Sequence, residues 1–467
     1  MPSLPKRPRT PPARALPTPA PRKVALALLV LLPLVTAGCA THLEEPTLDR
    51  LAAGPKVPVV LVPGVTGSLL AKRDGGEVVW GTGPRVLSPR DGGYELARPL
   101  SEPLGGPTAL EARSVIERMQ VLGVVEKEIY GPIPEMLERH GYVRGNFDSP
   151  GAGQDLYLFP YDWRDDNVMS ARRLGAALEA LAQTRGGDDD VQVDLICQSN
   201  GAHICRYLLK YGAVPLEEAE RRMAEGDPPP RRRFSIRKLL LVGTSNGGSL
   251  RILRELHRGR QYLAPFGRRI EPEVMFTFPA LYQDLPAYRP RPFLDTSGQP
   301  LDLSLFDPDV WVREGWSIFE DDARLRADQH PEIFGDDAAR RGFLARSLDR
   351  SRRLHALLFQ DAPGFGTPRY YLLQNGYDDT PHRAIRGEGG GRGLLFTGDD
   401  ALADDPYLEA LATAPGDGHA TLESQLALSP QELDALAAEP FLVRGEHFEL
   451  ILDPGTRRQL LEYLAAE

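Results

Sequence analysis

The run Val191-Gln-Val-Asp-Leu-Ile196 ends in Cys197-Gln198-Ser199-Asn200-Gly201, and Ala202-His-Ile-Cys-Arg-Tyr-Leu-Leu209 then reads as a helix. A serine at the turn between a buried strand and a helix, with glycine two residues on, follows the G-x-S-x-G nucleophile pattern, here C-x-S-x-G. Such a turn needs small neighbours, because the serine is held in a strained conformation that presents its Oγ. A serine hydroxyl is a weak nucleophile without a base, and the base needs an orienting acid. Both stand later in the chain, in the order serine, acid, histidine. Asp417 lies between Gly416 and Gly418, and His447 follows thirty residues on, within Gly445-Glu446-His447-Phe448. Taken alone, Ser199 has a competing reading as a structural hydroxyl at a strand–helix turn. The three residues together favour chemistry.

The chain has nine histidines, so the others must be weighed. His419 is two residues from Asp417, too close to take its hydrogen bond and also face Ser199. His203 is expected to be packed or at the surface, and His140, before a helix-ending glycine, to be solvated. Cys197 and Cys205 are expected as buried free thiols, because the second should lie well into the helix. No His/Cys cluster has metal-ligand spacing, so neither a metal nor another cofactor is expected.

Positioning these residues takes a sheet. Val57-Pro-Val-Val-Leu-Val62, Val191–Ile196 and Lys238-Leu-Leu-Leu-Val242 are continuous apolar runs, which suit strands buried on both faces. Helical patterns lie between the first two: Leu174, Leu178 and Leu181 recur at helical spacing, and Ile133, Met136 and Leu137 precede Gly141. Strands alternating with helices predict βαβ units and a mostly parallel sheet flanked by helices. Strand-like runs resume at Tyr370–Gln374 and Leu394–Thr397, and a last helix is expected from about Arg457. Two stretches, about 72–121 and 250–364, break the alternation and are expected as excursions that cover the site. In the second, Trp311, Trp316, Phe293 and Phe306 suit either an interfacial lid or ordinary cap core.

The 467 residues carry a net charge of −10 and a sequence pI near 5.5, which argues against a nucleic-acid partner. The charge is uneven. The first 38 residues hold six basic residues and no acid, leaving −16 for the remainder. Arg22-Lys23 leads into the apolar run Val24–Gly38, too short for a membrane span of roughly 20 residues. Residues 1–38 are therefore expected to be a secretory signal. The exit Thr36-Ala37-Gly38-Cys39 resembles a bacterial lipobox with Cys39 as the lipidated residue; the competing reading is an ordinary signal with a chance cysteine. Residues 39–55 read as a tether, and Ala40 in place of Asp leans toward the outer membrane or its periplasmic face.

Several motifs then fall in one order: Val59-Val-Leu-Val-Pro-Gly-Val-Thr-Gly-Ser-Leu-Leu70, Pro160-Tyr-Asp-Trp-Arg164, the Ser199 turn, Leu241-Val-Gly-Thr-Ser-Asn-Gly-Gly-Ser249, Gly416-Asp-Gly418 and His447. In that order they resemble the lecithin:cholesterol acyltransferase family, which includes lysosomal phospholipase A2 and phospholipid:diacylglycerol acyltransferase. The resemblance runs from about Val57 to Glu467, and Phe278–Pro286 resembles a cap segment of these enzymes. It implies an α/β-hydrolase fold over 56–467, with Ser199 as nucleophile, Asp417 as orienting acid and His447 as base. It also implies an oxyanion hole from the Asn200 and Val65 N–H groups. Asp162 and Arg164 are expected to brace the sheet edge or cap, and Trp163 to be core or pocket wall.

The chain departs from the family pattern at three places. Cys197 replaces glycine, His419-Ala420 stand where Thr-Val is usual, and Ser245-Asn246 replace Pro-Trp. The last two border the expected acyl or acceptor pocket and bear on substrate rather than on the triad.

The implied activity is a lipid-anchored serine esterase. It would take acyl groups from membrane lipids and pass them to water or to an alcohol. Two rival readings remain at this point: a catalytically silent envelope lipoprotein that uses the fold for binding, and an esterase for a non-lipid ester.

Overall fold

The computed structural model describes residues 56–466, apart from 88, 107, 122–124, 187–189, 263–267, 367 and 388–392. The expected leader, Cys39 and the tether lie outside the described residues. Among those described, no helix is long and apolar enough to cross a membrane.

Six strands form the central sheet: β1 (Val59–Val62), β2 (Leu156–Leu158), β3 (Val191–Gln198), β4 (Phe234–Val242), β5 (Arg369–Gln374) and β6 (Phe441–Leu442). Their order is β6-β5-β4-β3-β1-β2, and every pairing is parallel. The apolar runs are continuous because each strand is covered on both faces. Val60, Val62, Val193, Leu195, Leu239, Leu241 and Leu372 join one core cluster. Their alternating neighbours Val59, Leu61, Ile196, Leu240, Val242 and Leu373 join the other. Each such side chain contributes about 1.5–3 kcal/mol when fully buried, so a one-residue slip would cost both clusters at once.

Six helices matter to the site: α1 (Pro132–Arg139), α2 (Asn167–Arg185), α3 (Gly201–Tyr211), α4 (Leu250–Arg258), α5 (Asp337–Leu358) and α6 (Pro454–Ala465). Leu174, Leu178 and Leu181 of α2, and Ile204 and Leu208 of α3, cover the first face. Ile133, Met136 and Leu137 of α1, and Leu460, Leu461 and Leu464 of α6, cover the second. Helix α6 starts earlier than the spacing predicts, because Asp453 caps it by accepting from the Thr456 N–H and Pro454 fits its first turn. This sheet, with its serine at the strand–helix turn, is an α/β-hydrolase fold.

The stretch from 72 to 121 is more regular than its glycines suggest. Val78–Trp80, Ser68–Lys72 and Leu110–Val115 pair antiparallel in that order as a small separate sheet. Leu394–Leu395 belongs to another small sheet rather than to the central one. From 250 to 364 the chain is mostly helical. Arg350 of α5 pairs with Asp166, the N-cap of α2, at 2.5 and 3.0 Å, which ties this excursion to the sheet layer. Trp311, Trp316 and Phe293 are buried there, with Phe293 and Trp316 stacked at 4.7 Å and Phe306 partly buried against the same cluster. These aromatics are therefore packed in a core rather than presented at the surface.

Candidate active site

Ser199 follows the last residue of β3 and has φ 53°, a left-handed conformation that L-residues rarely adopt. The turn is possible because its neighbours leave room. A Cβ on Gly201 would meet the Val62 carbonyl oxygen at 2.7 Å, and one on Gly64 would meet Gln198 Oε1 at 2.5 Å and Ser199 Cβ at 2.8 Å. The glycines of both loops are therefore fixed by close approach rather than by flexibility.

The structure brings the three sequence-derived residues together. His447 Nε2 lies 2.8 Å from Ser199 Oγ, and His447 Nδ1 lies 2.7 Å from Asp417 Oδ2. Asp417 Oδ1 accepts the backbone N–H groups of His419 and Ala420 at 2.9 and 2.7 Å. The His447 N–H donates to the Asp417 carbonyl at 3.1 Å, which couples the two loops. Burial alone would raise the Asp417 carboxyl. The imidazole of His447, with further help from His419 and the Ala420 N–H, outweighs that effect and holds it below the ordinary carboxylate value. With a carboxylate at Nδ1, the proton of neutral His447 belongs on that nitrogen, leaving the Nε2 lone pair toward the serine.

Val65 and Asn200 flank the serine on two loops. Among the described residues, no acceptor takes either backbone N–H. The Val65 loop is held from below by side chains that the sequence did not single out for this purpose. Tyr130 Oη accepts the Gly64 N–H at 2.9 Å and donates to Gln198 Oε1 at 2.6 Å. Tyr161 Oη donates to the Pro63 carbonyl at 3.0 Å and accepts from Asn200 Nδ2 at 3.2 Å. Asn200 and Asn167 exchange amide hydrogen bonds at 2.8 and 2.9 Å. Trp80 Nε1–H donates to the carbonyl of Thr66, whose φ is 67°. Tyr161 belongs to the Pro160–Arg164 motif, so its signal was present. Tyr130 had none.

The rest of that motif is structural. Arg164 forks onto Asp162 at 2.9 and 2.7 Å and donates to the Leu96 carbonyl. Trp163 Nε1 donates to the Ser68 carbonyl at 3.1 Å, and its ring packs edge-on to Trp80 and Phe278. His203 is buried, 3.4 Å from Asp284. His140 is half-buried rather than solvated, with Nδ1 on the Met136 carbonyl at 2.7 Å.

The cysteines correct the sequence reading. Cys197 and Cys205 form a disulfide, with Cα atoms 6.8 Å apart. The chain leaves Cys197 outward along the strand for two residues and returns along the helix for four. At about 3.3 Å per strand residue and 1.5 Å per helical residue, both paths cover roughly 6 Å. Cys205 therefore lies back beside Cys197 rather than beyond it.

Ser199 is 4% exposed and His447 2%. Phe448 packs edge-on against His447 with ring centres 5.0 Å apart, and the Arg260 guanidinium lies over both Phe448 and Tyr262. Tyr262 in turn packs on Trp80 at 4.9 Å. Among the described residues, no group of three His, Cys, Asp or Glu side chains forms a metal-binding cluster.

No protein-family model matches the chain, and no curated protein matches it in sequence. Among solved structures, a chain of the Tle4–Tli4 complex aligns with a TM-score of 0.55 at 14% identity, over 88% of this chain and 98% of that one. The mature form of the Bacillus licheniformis lipase BlEst2 aligns over 88% of this chain and 95% of that one, at 12% identity and a TM-score of 0.31. The first of these likenesses is one of fold.

Proposed function

We propose that the protein is a serine-dependent acyl-ester hydrolase or O-acyltransferase acting on phospholipid or neutral-lipid esters. The reading rests on one observation above all. Ser199 Oγ, His447 and Asp417 form a continuous hydrogen-bonded line at 2.8 and 2.7 Å, on a strained serine at the end of a buried strand.

In this reading His447 Nε2 takes the Ser199 proton as Oγ attacks the ester carbonyl, and Asp417 stabilises the imidazolium. The oxyanion meets the Val65 and Asn200 N–H groups; losing one such donor costs about 10²–10³ in rate. The imidazolium returns its proton to the departing alcohol, which leaves an acyl ester on Ser199. Water or a second alcohol then gives its proton to His447 as it attacks the acyl carbonyl, and His447 returns that proton to Ser199 Oγ as the acyl–Oγ bond breaks and the acid or new ester leaves. Whether the acyl group passes to water or to an alcohol depends on how far the pocket excludes water and binds an acceptor. A place in the lecithin:cholesterol acyltransferase family is part of the proposal and is supported by the ordered motifs. Membrane attachment through Cys39 and residence in the cell envelope are part of it too, and are supported by the basic, then apolar, leader before that cysteine.

Mass spectrometry of products from labelled phospholipid, with and without a panel of alcohols, reads donor and acceptor together. Ser199→Ala is expected to lower turnover by at least about 10⁴-fold while the protein still folds. Undiminished turnover in that variant would end the serine mechanism.

A further inference from the structure

The base side of the site holds titratable groups for which this cycle has no use. His419 is 3% exposed, and its ring lies flat on His447, with centroids 4.3 Å apart and planes inclined by 24°. Its Nε2 is 3.7 Å from Asp284 Oδ2. Asp284 is itself buried; its Oδ1 accepts from Ser245 Oγ at 2.5 Å and lies 3.4 Å from His203 Nε2. Three separate elements thus converge on the Asp284 carboxylate, which follows Pro279–Tyr282: the loop after β4, helix α3 and the Asp417 loop. Ser245 and His419 are among the positions where the sequence departs from the family pattern, and both departures face Asp284.

A carboxylate is rarely buried without a compensating role for its charge. Burial opposes ionisation of Asp284, but the neighbouring imidazoles of His203 and His419 outweigh it and keep it an anion. His419 is pushed below its ordinary value by burial and by His447, against the pull of Asp284 and Glu255, so its neutral form faces the base. The other charged groups around it are accounted for. Asp417 takes the His419 backbone N–H, Glu255 pairs with Arg260 at 2.8 Å and Arg251 at 3.4 Å, and Arg251 also donates to the Gly418 carbonyl. His419 Nδ1 is buried and has no hydrogen-bond partner among the described residues. Asp284, 3.7 Å from the other ring nitrogen, is the carboxylate placed to orient the ring.

We propose that His419 and Asp284 are positioning residues for His447: the His419 ring, oriented by Asp284, fixes the plane of the base, and the Asp284 carboxylate adds a second negative charge behind the imidazolium that forms there. This rests on Ser199, His447 and Asp417 acting as proposed above. In a buried site, a charge behind a neutral ring is little screened by solvent, so it favours the charged intermediate over the neutral resting base. A flat ring against His447 also restricts its rotation away from Ser199.

The test uses the purified full chain and hydrolysis of p-nitrophenyl butyrate, with kcat and KM followed from acid to alkaline pH. Asp284→Asn is expected to lower kcat about tenfold and to move the acid limb of kcat/KM to lower pH, with KM little changed; one pKa unit of differential interaction corresponds to that factor. His419→Ala is expected to lose about ten- to a hundredfold in kcat, and His419→Phe, which keeps a flat ring, to recover most of it. A packing defect alone would lower the melting temperature without moving the acid limb. An Asp284→Asn protein with wild-type melting and an unmoved acid limb overturns the proposal. If that variant does not fold, the His419 pair decides instead, and equal kcat in His419→Phe and His419→Ala overturns it. Ser199→Ala run alongside separates the two levels. Turnover that survives there removes the parent mechanism, whereas loss there with an unmoved Asp284→Asn profile removes only the positioning role.

Discussion

The two walls of the site are built from different chemistry. The nucleophile wall, made by Gly64–Gly67 and the Ser199 turn, is held by neutral groups in two hydrogen-bonded sets, Tyr130 with Gln198 and Tyr161 with Asn200 and Asn167. The base wall is ionisable almost throughout, with Asp417, His447, His419, Asp284 and His203 in sequence of contact. Burial raises Tyr130 and Tyr161 further above their ordinary values, so neither titrates in the working range. The difference suits the division of labour in the proposed cycle. Donors for an oxyanion must stay in place at every pH, whereas a base must change charge during each cycle and needs charges near it that respond.

The strongest way to break this contrast acts on the base wall. Asp417→Asn keeps the shape but removes the anion and the preference for the Nδ1–H tautomer. It is expected to lower kcat by about 10⁴-fold. Pre-steady-state acylation of Ser199 by a p-nitrophenyl ester would measure it. A variant that still acylates at a rate near the parent would show that the base does not depend on this carboxylate.

Gly64→Ala attacks the other wall. Its Cβ would arrive 2.5 Å from Gln198 Oε1 and 2.8 Å from Ser199 Cβ, so the loop carrying the Val65 N–H must move. The expected loss is about 10²–10³-fold in kcat, the worth of a displaced oxyanion donor. The pH profile should keep its shape, since nothing that titrates has been touched. A shifted acid limb in Gly64→Ala would mean that the two walls are coupled more tightly than their chemistry suggests.

Much of this arrangement was legible before any coordinates. Continuous apolar runs gave the buried parallel strands because a two-sided cover leaves no polar face to interrupt them. The Ser199–His447–Asp417 line was legible because its members carry rare chemistry in glycine-marked turns. What the sequence hid was return geometry and long-range pairing. Cys205 looked remote from Cys197 until the helix was seen to fold back along its strand. Tyr130 reaches Gln198 across 68 residues, and His203 meets Asp284 across 81, distances over which no local pattern carries information. The unusual Ser245 and His419 were visible as departures, but the carboxylate they share was visible only in three dimensions. The stretch 72–121 hid two of the three strands of a small antiparallel sheet, because they are short and stand among glycine-rich loops.

The smallest expected effect separates the walls by stability rather than by rate. His355 of α5 sits behind the base wall, 2% exposed, with Nε2 on the Gln283 carbonyl at 2.9 Å and its ring edge-on to His203 at 5.4 Å. Burial, with the nearby His203, pushes it down to about 3. An unfolded histidine has a value near 6.5. Between those two values the unfolded chain binds a proton that the folded one refuses, so stability falls as the pH drops through that window. Neutral groups on the nucleophile wall contribute no such slope. Urea midpoints at several pH values between neutral and mildly acid should therefore decline in the native protein and decline less steeply in His355→Gln, which keeps a donor for Gln283 without the titration. Equal slopes in the two proteins would place the acid sensitivity elsewhere, and would leave the charged wall no more vulnerable to acid than the neutral one.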